Sequence, residues 1–127
     1  MVEELNLSGK INFLGMKERN EVLEYLKKSD VFIMISAPET FGLAYLEAMA
    51  KANIVIGAKG WGIDGIIEDR KNGFLIEPRN VEATVSVLNN LFRNGFHEAR
   101  DILTNTYYTI NEYTNEKMAK MYLDNII

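Results

Sequence analysis

Short runs of consecutive apolar residues alternate along the chain with longer segments in which apolar residues recur every three or four positions. A continuous apolar run is typical of a strand buried on both faces of a parallel sheet, and the three-to-four spacing is typical of an amphipathic helix. The alternation therefore predicts crossover units and an α/β fold. The predicted strands are Ile11 to Gly15, Val31 to Ser36 and Asn53 to Gly57, with a fourth inside Asn72 to Pro78, a segment that also gives a turn before the strand and a stop after it.

Helical spacing is clear where charged residues fill the positions between the apolar ones, as they do after the first predicted strand. Pro38 ends the second strand, and a helix is predicted to follow it. The predicted helices cover residues 17–30, Phe41 to Lys51, Ile63 to Asp69 and Val81 to Phe92, followed by two helices over 96–127 with a break near Tyr113.

The loops that follow the strands are the places to look for a binding site. In a parallel sheet a ligand lies beyond the carboxyl ends of the strands, beside the amino termini of helices. Three loops meet this condition: GMKER after the first predicted strand, SAPETFG after the second and AKGWGIDG after the third. We expect these loops to lie at one edge of the sheet.

Two glutamates, Glu39 and Glu47, frame the start of the helix after the second strand. Gly42 has no Cβ, so the backbone can come close to a bound group, and the free N–H groups of Phe41 to Leu43 can donate to an anion such as phosphate. Each carboxylate can accept hydrogen bonds from hydroxyls. Over a continuous helix the two glutamates would be about 12 Å apart, which suits a diphosphate with a sugar at each end.

A structural explanation of the same glutamates is also open. Glutamate is a good helix former, and an acidic side chain near a helix amino terminus complements the helix dipole. On this interpretation Glu39 is a favourable helix charge and Glu47 is a solvated surface residue. The two residues alone do not decide between the explanations.

Composition narrows the range of functions. The 127 residues carry a formal net charge of -4, which argues against a nucleic-acid partner held by bulk positive charge. The chain has no cysteine and one histidine, His97, so thiolate and histidine-rich metal sites are excluded. Asp64, Glu68 and Asp69 are interpreted as solvated acids and not as a magnesium site. No apolar run is long enough to span a membrane, and we expect a cytoplasmic protein.

The motifs from Ser36 to Pro78 resemble those of one family in identity and order. SAPETFGLAYLEAMA is similar to the family pattern S-x-x-E-x-F-G-L-x-x-L-E-A-M-A, in which seven residues separate the glutamates. A buried strand, a glycine-rich loop, the segment GIIED and the segment NGFLIEP then follow. The chain from Ile11 to Leu91 thus resembles the donor-binding, carboxy-terminal domain of the group 1 retaining glycosyltransferases of the GT-B fold.

This resemblance implies a three-layer, Rossmann-like parallel sheet of about four strands with flanking helices. It also implies transfer of a sugar from a nucleotide-diphosphate donor to an acceptor hydroxyl with retention, with no essential metal and no cofactor besides the donor substrate. Glu39 would be the catalytic residue, in contact with hydroxyls of the donor sugar, and Glu47 would bind the ribose hydroxyls. Donor contacts are further implied for Thr40, Phe41, Gly42 and Leu43 at the sugar and diphosphate, and for Gly15 and Met16 at the base.

The chain departs from the family pattern on its amino-terminal side. Residues 1–127 correspond to a single nucleotide-sugar-binding domain without its first two strands, without the arginine and lysine that clamp the diphosphate, and without the acceptor domain. We therefore expect an amino-terminal acceptor domain or a separate subunit as partner. An exposed strand edge or apolar face is predicted to favour a homodimer. Any membrane contact would be made through the missing domain.

The glycine-rich loop also departs from the family pattern. Asp64 and Gly65 stand near the place where the family often has a glutamate, and Gly60 and Gly62 flank Trp61. We interpret Trp61 as a partly buried surface aromatic.

Two classes of function are predicted. The first is the donor-binding domain of a glycosyltransferase of polysaccharide or glycolipid biosynthesis, which would be inactive in isolation because catalysis needs both halves of the site aligned. The alternative is a non-catalytic nucleotide-sugar-binding or assembly module that needs a partner chain. A nucleotide-sugar epimerase fits less well, because such enzymes use histidine and basic residues that the chain lacks.

Overall fold

Three parallel strands form the centre of the described part of the chain, in the order β1–β2–β3. The computed structural model describes residues 1–40, 42–94 and 97–114. The pairing places Val31 beside Ile54 and Ile56 beside Phe74. The strands are β1 (Val31–Met34), β2 (Ile54–Ala58) and β3 (Phe74–Ile76), and the helices are α1 (Arg19–Lys27), α2 (Leu43–Ala50), α3 (Val81–Arg93) and α4 (His97–Glu112).

Helices cover both faces of the sheet. Successive strand residues point to opposite sides, so each strand contributes side chains to a core on each face. Val55 faces a core formed with α1 and α2, whereas Ile54 and Ile56 face a core formed with α3 and the first part of α4. The three-layer α/β fold class is thus confirmed. The first core contains Leu26, Tyr45, Ala48, Met49, Val55, Ile63 and Ile67, and the second contains Ile54, Ile56, Phe74, Ile76, Val87, Leu91, Ala99 and Ile102.

The two outer strands of the sheet differ in burial. Every residue of β2 is buried, as a central strand requires, and Phe74 and Ile76 of β3 are also buried. All of β1 is at least partly exposed, and Ile33 keeps 42% of its surface accessible. Within the described residues β1 also ends the sheet and has β2 as its one neighbour, so an exposed strand edge is present as predicted, and its pairing with a second copy stays a prediction.

The predicted strand Ile11 to Gly15 is wrong, so the described sheet has three strands and not about four. Ile11 forms only an isolated bridge to Ser8, and Phe13 is 84% exposed. A strand is stable only when a neighbour pairs with its backbone and covers its side chains. In the described part of the chain no strand pairs with this segment.

The predicted helix Ile63 to Asp69 is also wrong. These residues form turns and bridges, and Gly65 has a φ of 98°, which no right-handed helix contains. The apolar residues Ile63 and Ile67 are nevertheless buried in the core beside α2. The apolar spacing of this segment therefore indicates burial and does not indicate a helix.

The remaining helices agree closely with prediction. α3 extends one residue past the predicted end, and α4 ends just before the predicted break at Tyr113. α2 begins at Leu43 because Gly42 adopts a left-handed conformation. The helix predicted after Tyr113 lies outside the described residues. Across the described ranges, no helix is both long and apolar enough to cross a bilayer.

Candidate functional site

The turn between β1 and α2 lies at the carboxyl edge of the sheet. Glu39 is half-buried there, and its Oε1 accepts a hydrogen bond from the Thr40 N–H at 3.0 Å. The Glu39 carbonyl accepts a second hydrogen bond from the Gly62 N–H at 3.0 Å. This contact joins the turn to the loop after β2, so two of the three predicted loops meet.

The amino terminus of α2 has a glycine at its N-cap position. Gly42 has a φ of 65° and a ψ of 69°, and it has no side chain with which to cap the helix. The first turn of α2 contains no acidic residue, and Leu43 is exposed. The backbone N–H groups that begin a helix lack intrahelical acceptors, and the helix dipole favours an anion at this end. The start of α2 is therefore suited to a phosphate group.

Tyr45 fixes the position of this helix start. Its ring fills the space that a Cβ on Gly42 would need: the added atom would lie 2.5 Å from Cδ2 and Cε2 of Tyr45. The fully buried Tyr45 hydroxyl donates to the carbonyl of Met34, the last residue of β1. Burial raises the pKa of Tyr45, and the nearby charge of Glu39 acts in the same direction. The side chain thus anchors α2 to the carboxyl end of β1.

Glu47 lies one turn further along α2 and is paired with Arg19. Its Oε1 accepts from Nε of Arg19 at 2.9 Å and lies 2.8 Å from Nη2. The Glu47 side chain is 26% exposed and the Arg19 side chain 77%. Arg19 is the first residue of α1, directly after the loop that contains Gly15 and Met16. The ion pair therefore brings GMKER, the remaining one of the three predicted loops, to the same end of the molecule as the other two.

The other predicted site residues have fewer described contacts with the two glutamates. Thr40 is exposed in the turn, and Phe41 lies outside the described residues. Gly15 has a φ of 65°, and apart from its chain neighbours no atom of the described residues lies within 4 Å of the position that a Cβ would take there. Met16 is fully exposed. The segment that contains Gly15 and Met16 is linked to the glutamates through Arg19, which contacts Glu47.

The expected separation of the two glutamates rested on a continuous helix, and this premise is wrong. The helix begins at Leu43, so only the four steps from Leu43 to Glu47 are helical, which is about 6 Å of rise. Glu39 lies in the preceding turn. The two carboxylates flank the helix start, one before it and one a turn beyond it.

The acidic residues of the loop before β3 have structural partners. Asp64 accepts from the Gly60 N–H, Glu68 pairs with Lys71, and Asp69 accepts from the Leu75 N–H. Within residues 1–40, 42–94 and 97–114, no three histidine or acidic side chains come together as metal ligands would. His97 is exposed at the start of α4, away from the strand-to-helix turn along the chain.

Sequence reasoning missed two residues of the site, Tyr45 and Arg19. Tyr45 follows Gly42 by three positions on the apolar face of the helix, and this spacing was an available signal. Arg19 is 28 positions from Glu47, and no local pattern connects them.

Comparison with known proteins adds an independent line of evidence. A family model described as glycosyl transferases group 1 matches residues 1–109. The chain is similar to sulfoquinovosyl transferase SQD2 of Arabidopsis thaliana, with 37% identity over 94 residues, which cover 72% of this chain and 18% of that protein.

Solved structures agree with this similarity. A glycosyltransferase from Rickettsia africae ESF-5 matches with a TM-score of 0.85 and 27% identity, over 97% of this chain and 33% of that one. Anabaena HepE in complex with UDP matches with a TM-score of 0.82 and 23% identity, over 97% of this chain and 35% of that one, and it shares the fold. The chain thus spans between 18% and 35% of the length of these three proteins.

Proposed function

Because the chain belongs to the glycosyl transferases group 1 family, we propose that it binds the nucleotide-diphosphate sugar donor of a retaining glycosyltransferase. The observation that supports this most directly is the start of α2. A glycine N-cap and a first turn without acid leave the helix terminus open to a diphosphate, and Glu39 and Glu47 flank that terminus. Amide donors in the middle and carboxylate acceptors on either side match the polarity of a nucleotide-sugar.

In this proposal Glu39 binds hydroxyls of the transferred sugar and Glu47 binds the ribose hydroxyls. Thr40, Gly42 and Leu43 offer backbone groups to the sugar and diphosphate. Gly15 and Met16 flank the base, and Arg19 holds the Glu47 carboxylate through Oε1, so that the ribose is bound through Oε2.

The chemical task of the site follows from the charge that develops during transfer. The bond between the anomeric carbon and the diphosphate oxygen breaks while the acceptor oxygen bonds to the same carbon, and the proton of the acceptor hydroxyl passes to the departing diphosphate. Negative charge accumulates on the departing diphosphate, and fixed donors at a helix start stabilise that charge without reorganising. The helix start would thus lower the barrier, while Glu39 keeps the sugar oriented.

Transfer also needs an acceptor site, which we assign to a partner. The chain spans no more than 35% of the three compared proteins, and the outer edge of β1 is exposed. These observations support an amino-terminal acceptor domain or a separate subunit beside β1. They also favour the second candidate function, a non-catalytic nucleotide-sugar-binding module that becomes useful only in an assembly.

Calorimetric titration with UDP-glucose, GDP-mannose and ADP-glucose tests donor binding. UDP-glucose is the first choice because HepE, which shares the fold, was crystallised with UDP. We expect Glu47→Gln to weaken binding of the preferred donor about tenfold, since it loses a charge-assisted hydrogen bond.

Glu82→Gln is the matched control, because Glu82 is an exposed acid in the first turn of α3. Equal affinity of wild type and Glu47→Gln, or no binding of any of the three donors, would contradict the proposal. An assay for donor hydrolysis separates the two candidate functions: binding without turnover favours the module, and turnover with an α-configured product favours a retaining enzyme.

A further inference from the structure

A depression opens beside the proposed donor site, at the same edge of the sheet. It is an open cleft of about 550 Å³, within the range of about 300–1,000 Å³ that is usual for small-molecule sites. Its walls come from the ends of all three strands, or from the loops directly after them. The lining residues are Ile35, Ser36, Ala37, Trp61, Pro78 and Arg79.

Arg79 gives the cleft a positive charge. It follows β3 by three residues, is exposed and forms no ion pair with any residue in the described ranges. The neighbouring Glu77 is paired with Lys59 at 3.3 Å, so this carboxylate already has a cationic partner. A guanidinium in this setting is suited to a carboxylate, sulfonate or phosphate, which it can bind through two parallel hydrogen bonds.

Trp61 provides an apolar wall in the same cleft. Trp61 is 39% exposed as a residue, although its loop is well anchored: the Asp64 N–H donates to the Trp61 carbonyl at 2.7 Å. The next residue, Gly62, donates to the Glu39 carbonyl. The cleft therefore adjoins the turn that we assign to the donor sugar. An exposed aromatic ring offers a flat surface on which the apolar face of a sugar ring can pack.

We propose that this cleft binds a sugar ring that carries an anionic group, with the ring packed on Trp61 and the anion held by Arg79. The inference rests on the proposed function, because it assumes that a sugar is bound at Glu39. The charged ring belongs either to the donor or to the acceptor. Glu39 accepts hydrogen bonds from neutral hydroxyls and Arg79 donates to the anion, so the two residues select opposite ends of such a substrate.

The test has two arms that distinguish the two sources of the ring. In the donor arm, UDP-glucuronic acid is compared with UDP-glucose, which differs in having a hydroxymethyl group in place of the carboxylate. In the acceptor arm, methyl α-glucuronide is compared with methyl α-glucoside. Trp61 is the only tryptophan of the chain, so quenching of intrinsic fluorescence reports on this cleft directly, independently of any enzyme activity.

We expect the acidic ligand to bind about tenfold more tightly in one arm, the contribution of one charge-assisted contact. Arg79→Gly should abolish this preference and should not unfold the protein, because Arg79 has a φ of 68°, which glycine adopts without strain. Arg70→Gly is the matched control. Arg70 is also left-handed, with a φ of 63°, but it lies before β3, at the opposite end of the strand.

A preference in the donor arm that Arg79→Gly removes assigns the cleft to the transferred sugar, and one in the acceptor arm assigns it to the acceptor. The inference is overturned if neither arm shows a preference, or if Arg70→Gly removes it equally. It is also overturned if Arg79→Gly weakens the binding of UDP that carries no sugar, because Arg79 would then contact the diphosphate. If UDP-glucose and UDP both fail to bind, the proposed function fails, and the acceptor arm still decides whether the cleft selects an anionic sugar.

Discussion

The two ends of the sheet use their polar side chains in opposite ways. At the amino end, Asn72 is 2% exposed and its side chain makes three hydrogen bonds, to the Glu68 N–H, the Ile66 carbonyl and the Thr109 hydroxyl. The Thr106 hydroxyl donates to the Asn72 carbonyl at 2.9 Å. These groups satisfy one another and join α4 to the loop before β3.

At the carboxyl end Glu47 pairs with Arg19 and Glu77 with Lys59, but three other groups have few partners of their own. The Glu39 carboxylate accepts from the adjacent Thr40 N–H, Gly42 offers α2 no side-chain cap, and Arg79 has no ion pair with a residue of the described ranges. Buried polar groups in folded proteins are nearly always paired, so the hydrogen bonds around Asn72 are explained by stability alone. Partly exposed groups that converge without partners indicate binding. Substitutions at the two ends should therefore have separable effects.

Gly42→Ala should have the largest effect, because it affects both stability and binding. The new Cβ would lie 2.5 Å from two ring carbons of Tyr45, in a left-handed conformation with a φ of 65°. Left-handed strain costs about 1–2 kcal/mol and overpacking about 1–3 kcal/mol. We expect a loss of about 3–4 kcal/mol in urea unfolding and loss of donor binding in calorimetry.

Gly15→Ala is the matched control for this change. Gly15 has the same φ of 65°, but apart from its chain neighbours no atom of the described residues lies within 4 Å of the added atom. It should lose only about 1–2 kcal/mol, from backbone strain. Equal losses in the two variants would show that the contact with Tyr45 is unimportant.

Asn72→Ala should destabilise the protein by about 3 kcal/mol, because it leaves buried hydrogen-bonding groups without partners at the amino end. Donor affinity measured on the folded variant should stay unchanged. Asn89→Ala, at an exposed position of α3, should change the free energy of unfolding by less than about 0.5 kcal/mol. A weakened donor affinity in Asn72→Ala would contradict the separation of the two ends.

Tyr45→Phe should cost about 1–2 kcal/mol at neutral pH, because the Met34 carbonyl loses its donor. The same variant changes the pH dependence. Burial raises the folded pKa of Tyr45 above the unfolded value of about 10. The hydroxyl therefore stabilises the fold fully below pH about 10, and this contribution is lost as the pH rises through the folded pKa, since the unfolded chain ionises first.

Urea unfolding at several pH values between about 8 and 11 measures this effect. The stability of the wild type should fall more steeply above pH about 10 than that of Tyr45→Phe. Parallel curves would mean that the hydroxyl is not desolvated in the folded state.

Arg19→Gln should have the smallest effect on stability, about 0.5 kcal/mol or less, because the Arg19 side chain is 77% exposed and exposed ion pairs contribute little. A double-mutant cycle with Glu47→Gln measures the coupling, which should be below about 1 kcal/mol. A larger value would mean that this pair at the carboxyl end serves stability, as Asn72 does at the amino end.

The sequence predicted the fold class well because burial leaves a local signature. β2 reads as a continuous apolar run because it is buried on both faces. Ile11 to Gly15 has a similar composition but no described partner strand, and composition cannot report whether a neighbour exists. The sequence also does not show which conformation a glycine adopts: Gly65 is left-handed and disrupts a helix that its apolar neighbours suggested.

The candidate site was predictable where its residues are close in sequence. Glu39, Gly42 and Glu47 stand in one motif, and their relation to the helix start followed from it. The contacts that orient them join residues 28 and 11 positions apart, in Arg19 with Glu47 and in Tyr45 with Met34. Such contacts depend on how α1, α2 and β1 pack, and no local pattern contains that information.

The exposed edge of β1 also has a consequence for handling the protein. On its outer edge β1 has no partner strand within the described residues, and Ile33 is accessible, so other chains can add strands there and aggregation would begin there. Natural proteins protect such edges with lysine. Ile33→Lys should raise the concentration at which light scattering first detects aggregates. If this concentration is unchanged, aggregation begins at another surface.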